Sequence, residues 1–381
     1  MNFEWSDEQL ELRRSVVEFA QKELSQDIKE RDLACEFQME DWRKCAEFGI
    51  QAMPVPEAYG GLGADLLTSF LVMEGLGYGC RDNGLTFALN AQAVTVVQTL
   101  IDAGSEAQKR SYLTKTCRGE LIGAHAMTEP DSGSDAFSLR TACRPTDDGY
   151  VLNGTKCYLT LAPVADYFLV FATSDRALGH WGISLFLVDR HAEGVEVSST
   201  QPKMGLRTSP IGDLHLRDCH VPKDALIGDE GAGAAIFSAG QDVERAAVLA
   251  SQIGAMEHQI ERAVEYAGIR KQFGKPIGKF QAVANRISDM KMRLEAARLL
   301  AYKAVWQLQQ GLPATMDAAI ANVMMADAFV QSSMDLITVF GGFGYMTDAE
   351  IERDLRDAMG GPVYGGTSDI QRNIIARQLG L

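Results

Sequence analysis

The runs LIGAHAM (121–127), YVLNGTKCYLTL (150–161), YFLVFAT (167–173), ISLFLV (183–188), VEVSS (195–199) and DLHLRDCHV (213–221) decide how the chain divides. Each is short, apolar or alternating, and is bounded by Gly, Pro, Asp or Asn clusters such as Thr146-Asp147-Asp148-Gly149. Strands of this length and spacing, with no helical periodicity between them, predict a small β domain, a barrel or a sandwich. On either side the period changes. Before about residue 120 it is helical: Ser6 followed by Gln9 predicts a capping box, and Leu10, Val17, Ala20 and Leu24 fall on one helix face. The turn-rich PVPEAYGGLGAD (54–65) separates further amphipathic stretches around Trp42, 70–76 and 92–101. Beyond about residue 231, the stretches 242–270, 280–310 and 314–340 predict three long helices without an internal proline, the makings of a bundle. The predicted organisation is α+β in three domains: 1–120 helical, 121–230 β and 231–381 helical.

Composition bounds the function. The 381 residues include 36 Lys+Arg against 51 Asp+Glu, a net charge of −15, and 46% are hydrophobic. Such a chain can bury a large core. It lacks the basic face that a non-specific nucleic-acid binder needs. Its start, MNFEWSDEQLELRR, has neither the basic end nor the apolar run of a secretory leader. No run approaches about 18 consecutive apolar residues, so no membrane span is expected. Cysteines 35, 45, 80, 117, 143, 157 and 219 are scattered without a CxxC pair, a pattern suited to thiols in a reducing cytoplasm. No HExxH occurs, and no metal is expected.

Five segments can carry chemistry. In AMTEPDSGSD (126–135), Gly133 lets backbone approach a bulky ligand, and Thr128, Ser132 and Ser134 add hydroxyls. Read alone it is also an ordinary polar turn. With no GxGxxG after a first strand, a Rossmann nucleotide site is disfavoured. RKQFGKPIGKFQ (270–281) sets Arg270, Lys271, Lys275 and Lys279 between two helices, suited to a pyrophosphate or to plain solvation. FGGFGYM (340–346) follows an apolar helix and reads equally as a C-cap. YGGTSDIQR (364–372) puts glycines and hydroxyls before a last helix starting near Asp369, where N–H groups can hold an anion or a polarised carbonyl. Glu244, in QDVERAAVLA (241–250), shares a helix face with Phe237, Gly240, Val248, Ser251 and Ala255, with no Lys or Arg three or four positions away. A carboxylate there is either solvated or desolvated; desolvation lifts its pKa from ~4.3 toward the range of a general base.

In this order and layout the five segments resemble the acyl-CoA dehydrogenase family of flavoproteins, essentially end to end. The resemblance implies a helical N-terminal domain, a middle β-barrel and a C-terminal four-helix bundle, usually in a homotetramer. It implies FAD between the β and C-terminal domains, and removal of two hydrogens across the α–β bond of an acyl thioester. Electrons would leave to an electron-transfer flavoprotein or dioxygen. By motif, Met127, Thr128, Gly133 and Ser134 match the segment that contacts the isoalloxazine, Ser134 also touching substrate. Tyr158 and Thr160 match the aromatic-x-Thr element beside the flavin, with Leu161 where Asn is usual. Arg270, Phe273 and Gln281 match residues that hold FAD pyrophosphate and adenosine of a neighbouring subunit, and Gly341 and Gly342 approach across the same interface. Thr367 and Ser368 match hydroxyls near the FAD phosphates.

Many members carry the catalytic glutamate directly after the Tyr of the last motif, where this chain has Gly365. Members resembling isovaleryl-CoA dehydrogenase place it in an Asp-x-Glu-Arg segment, matched here by Asp242, Glu244 and Arg245. The resemblance therefore implies Glu244 as the base and the Gly365 N–H as an oxyanion donor. Substrate contacts would come from Ser134, Asp242, Arg245, Tyr364 and Gly366. The chain from KMGLRTSPIGDLHLRDCHVP (203–222) through QFGKPIGKFQ (272–281) to IERDLRDAMGGPVYGGTSDIQRNIIARQLGL (351–381) resembles members that oxidise prolyl groups tethered to a carrier protein in natural-product biosynthesis. That favours a carrier-bound aminoacyl thioester over a short or branched acyl-CoA. An enoyl-thioester reductase of the crotonobetainyl-CoA type and a flavin-binding assembly protein without turnover are the other readings.

Overall fold

The computed structural model describes residues 4–24 and 26–381; Met1, Asn2 and Phe3, part of the leader reading, lie outside the described residues. Helix α1 (Asp7–Glu23) starts on the expected capping box: Gln9 N donates to Ser6 Oγ at 3.2 Å and Ser6 N donates to Gln9 Oε1 at 3.0 Å. Two otherwise unpaired donors of the first turn are thereby satisfied. Its buried stripe is Val16 and Ala20, continued by Leu24, while Leu10 is 40% exposed. Leu10 lies about 120° around the helix from Val16, so it falls off the face the sequence period assigned to it. Helices α2 (Ile28–Ala34), α3 (Met39–Phe48) and α4 (Leu66–Gly79) follow, with Asp65 Oδ1 accepting from Thr68 N at 2.7 Å to cap α4. Helix α5 (Asn83–Ala103) contains a π-helical turn at Gln92–Val97, and α6 spans 106–117.

The strands are β1 (Gly123–Ala126), β2 (Ala142–Pro145), β3 (Gly149–Thr160), β4 (Tyr167–Thr173), β5 (Ile183–Asp189), β6 (Val195–Val197), β7 (Ile211–Pro222) and β8 (Leu226–Ile227). They run in the order β6-β7-β3-β2-β4-β5-β8, with β1 parallel to β4. The two halves of this sheet meet at one residue pair, Ala142 with Thr173, the corner of the β domain. All six apolar runs lie in strands; β2 and β8 are too short to leave a period. YFLVFAT and ISLFLV are continuous because both of their faces are covered. Phe168, Val170 and Phe186 point into the sheet's own core, while Leu169, Phe171 and Leu185 pack with Val96, Val97 and Leu100 of α5.

The C-terminal part comprises α7 (Gly233–Ala247), α8 (Ala250–Ile269), α9 (Gln281–Gln309), α10 (Thr315–Phe340), α11 (Glu352–Ala358) and α12 (Ser368–Gln378). The helix predicted over 242–270 is thus two helices. It breaks at Leu249 (φ −101°, ψ 11°), where Asn90 Nδ2, buried on α5, donates to the carbonyls of Ala247 and Val248 at 2.9 Å each. The break is stabilised by a partner distant in sequence and leaves no Gly or Pro as a mark. Helices α4 and α8 touch backbone to backbone: a Cβ at Gly77 would lie 1.9 Å from Ser251 O. Stretches Asn83–Ala103 and Thr315–Tyr345 are long and apolar, but 78% and 56% of their most apolar windows are buried inside the protein.

Candidate active site

A cavity of about 750 Å³ opens where the three parts meet, lined by α5, the end of β1, the end of β3, α7 and the loop before α12. Glu244 enters it from the last turn of α7 before the break. Gln241 Nε2 donates to Glu244 Oε2 at 2.6 Å. The other oxygen, Oε1, lies 3.6 Å from where a Cβ on Gly365 would stand. Gly365 sits at φ +68°, a left-handed conformation that strains any side chain. The carboxylate from α7 therefore occupies the space beside a position that is bare. Burial pushes the Glu244 carboxyl above its usual value, against the opposing pull of Arg245 and the Gln241 hydrogen bond.

The loop opposite is held from behind. Gln371 Nε2, on α12, donates to Gly365 O at 2.9 Å and to Gly366 O at 3.2 Å. Both carbonyls are thereby engaged, whereas the N–H groups of Gly365 and Gly366 make no hydrogen bond among the described residues. Tyr364 OH accepts from Gln252 Nε2 at 2.9 Å, and its ring packs on Phe87 with centroids 4.3 Å apart. Thr367 Oγ1 accepts from Ile370 N at 3.2 Å and caps α12. Next to it, the buried Ser368 Oγ has no partner.

The third wall is fastened by a pair the sequence reading did not single out. Lys156 Nζ, fully buried on β3, donates to Met127 O at 3.0 Å and to Glu129 Oε1 at 2.7 Å. Glu129 also accepts from the N–H groups of Arg140 at 2.6 Å and Thr141 at 2.9 Å. Burial pushes Lys156 down to about 8, partly offset by Glu129. Burial also pushes Glu129 up, but the Lys156 ammonium and the hydrogen bonds outweigh it and hold the carboxyl below its usual value. The pair ties Met127 and Thr128, at the end of β1, to β3. A lone lysine inside an apolar strand was the available signal. Above this wall Gly133 has nothing within 4 Å of a would-be Cβ. Tyr158 is 68% exposed at φ 58°, following an irregularity in the β3–β7 ladder. The hydroxyls of Thr128, Ser134 and Thr160 have no hydrogen bond among the described residues, and all three residues line the cavity. Leu161 is buried in a left-handed conformation.

The structure corrects one expectation. Asp242 and Arg245 do not line the cavity. Arg245 donates to Asp242 Oδ1 at 3.0 Å and to Gln241 Oε1 at 3.1 Å, and Asp242 Oδ2 accepts from Thr315 Oγ1 at 2.6 Å. Two positions before and one after Glu244, they are turned about 200° and 100° around the helix, where they brace α7 against the start of α10. Arg270, Gly341 and Gly342, assigned above to the FAD of a neighbouring subunit, lie on a second concavity with Tyr266 and Phe340 that shares no lining residue with the first. Phe273, 93% exposed, and Gln281 belong to the hairpin and helix start beside it.

The comparisons with known proteins agree along the whole chain. Family models of acyl-CoA dehydrogenases match in three pieces: the N-terminal domain over residues 6–120, the middle domain over 124–219 and the C-terminal domain over 231–380. The chain is 37% identical over 382 residues to an L-prolyl-[peptidyl-carrier protein] dehydrogenase of Pseudomonas fluorescens, covering 100% of both. It is 35% identical over 379 residues to a short-chain specific acyl-CoA dehydrogenase of Clostridium acetobutylicum, again covering 100% of both. Among solved structures, the prolyl acyl carrier protein oxidase AnaB superposes with a TM-score of 0.98 at 42% identity, covering 99% of this chain and 100% of AnaB. PigA with FAD and proline superposes with a TM-score of 0.97 at 38% identity, covering 100% of both.

Proposed function

The chain belongs to the acyl-CoA dehydrogenase family, and on that premise we propose that it is an FAD-dependent oxidoreductase acting on an aminoacyl thioester tethered to a carrier protein. The prolyl group is the acyl group its relatives point to. The observation that carries the reading is the placement of Glu244 Oε1 beside the bare Gly365. The base has moved from the last motif to the last turn of α7 without leaving the site.

The residues present fit FAD. The cavity offers the open approach at Gly133, the unengaged hydroxyls of Thr128, Ser134 and Thr160, the exposed ring of Tyr158, and Thr367 before α12, with the buried, unpartnered Ser368 Oγ next in sequence. Met127 contributes backbone to the same wall. Arg270, Phe273, Gln281, Gly341 and Gly342 would hold pyrophosphate and adenosine of the FAD bound in a neighbouring copy. When bound, FAD supplies the oxidising ring that accepts a hydride from the β-carbon. Everything else is done by this chain. Glu244, its pKa raised by burial, takes the α-proton. The Gly365 N–H, presented by Gln371 through the carbonyl behind it, donates to the thioester oxygen as enolate charge builds. A preorganised donor of this kind contributes about 3 kcal/mol to barrier lowering. Phe87 and Tyr364 wall the reacting carbons from water, with Gly366 beside them.

The C-terminal helices leave Val264, Ile269, Met292, Leu299 and Met334 exposed. These apolar faces support self-association, and we assign a homotetramer. Six of the seven cysteines are buried thiols, in keeping with a cytoplasmic setting. The electron acceptor would be an electron-transfer flavoprotein or dioxygen. To test the reading, the FAD-loaded protein is incubated with prolyl-carrier protein and with a panel of branched acyl-CoAs, and the products are weighed by mass spectrometry. Loss of two or four hydrogens from the carrier-bound prolyl group is expected. No loss from any carrier-bound acyl group overturns the assignment.

A further inference from the structure

We propose that the loop Arg176–Gly182, which packs through His180 on Phe137 just beyond the cavity's Gly133–Ser134 lining, is the docking site for the carrier protein, with Trp181 as its anchor; this rests on the thioester reading above. The loop joins β4 to β5 as a tight segment interrupted at Gly179 (φ 56°, ψ −129°). It is braced at both ends. Asp175 Oδ1 accepts from Ala177 N at 2.8 Å, and Ser174 N donates to Gly182 O at 2.9 Å. Gly231 packs against it so closely that a Cβ there would lie 2.5 Å from Trp181 O. On this rigid support Trp181 is 82% exposed and Leu178 52% exposed. A solvent-facing indole on a fixed loop adds little to the core, and aromatic anchors that become buried on association dominate protein interfaces.

Its position identifies the occupant. Rings run in a chain from the loop to the cavity: His180 to Phe137 at 4.4 Å, Phe137 to Phe237 at 5.7 Å, and Phe237 to His125 at 6.0 Å, where His125 lines the cavity. Phe137 also follows closely on Gly133 and Ser134, the exposed lining residues at the rim. A thioester tethered to a protein needs that protein's body to rest at the rim while the arm reaches Glu244. A free coenzyme A ester makes no such demand. Charge agrees. Asp131 is paired with Arg140 at 2.8 Å, and Asp175 is engaged in its cap. Arg176 is exposed and has no ion pair among the described residues. Beside Trp181, on a chain of net charge −15, it suits the phosphodiester that joins the arm to the carrier.

The test uses the full-length FAD-loaded enzyme and two substrates, prolyl-carrier protein and a prolyl-pantetheine thioester without the carrier. For Trp181→Ala and Arg176→Glu, KM for the carrier substrate should rise about tenfold or more with kcat unchanged. Meanwhile kcat/KM for the pantetheine thioester should stay within about twofold of wild type. Equal losses on both substrates, or none on the carrier, overturn the proposal. A changed native mass of Trp181→Ala overturns it too, because the loop would then be a contact between copies. A wild-type enzyme that oxidises neither thioester removes the functional reading and this proposal with it.

Discussion

Glu244 stands where a carboxylate is costly, and that cost is measurable. Its pKa in the folded protein is raised, so the folded chain binds the proton more tightly than the unfolded chain does. At low pH the group is protonated in both states and the fold carries no penalty. As pH rises through the folded pKa, the ionised carboxylate subtracts from stability. Glu244→Gln removes the charge, so its Tm at pH 7 should equal or exceed that of wild type, and the difference should shrink as pH falls. A clearly lower Tm at pH 7 in differential scanning would contradict this. The same shift sets the acid limb of kcat/KM, whose half-point should lie above ~4.3. Glu244, Gly365 and Tyr364, which line the cavity, were named in the sequence through the family resemblance; residue type and spacing alone left Glu244 open between a solvated and a desolvated carboxylate. Gln371, Lys156 and Glu129 were not, since each acts through a buried bond to a residue far along the chain.

At the scale of elements, the Lys156–Glu129 pair joins β3 to the end of β1. Lys156→Met leaves Glu129 buried without its ammonium partner and should lower stability by about 3–5 kcal/mol. Adding Glu129→Gln should restore much of that loss, because the remaining side chain carries no charge. Urea melts of the two variants check this, and a loss below about 1 kcal/mol in Lys156→Met would mean the pair does not fasten the wall. The strands were legible because apolar runs bounded by turn residues report both-face burial in β4 and β5. The break between α7 and α8 was not. Local periodicity runs on through Val248, and only Asn90, folded against it from α5, reveals where the helix ends.

For the whole molecule, the two concavities share no lining residue, and the proposal gives the second to the FAD of a neighbouring copy. Arg270→Ala should therefore leave the fold intact and lower the flavin content of the purified protein, read from the ratio of flavin to protein absorbance. Unchanged flavin content would remove Arg270 from the cofactor site. The three-part layout was legible from changes of period alone; the shape of the cavity was not, because it is assembled from segments more than two hundred residues apart. The central claim is that one carboxylate, reaching from the last turn of α7, starts the oxidation. Its most direct test is the rate at which prolyl-carrier protein bleaches the flavin of Glu244→Gln in anaerobic stopped flow. The account predicts a full flavin complement and a rate lower by about 10²–10⁴. A rate close to wild type would contradict it.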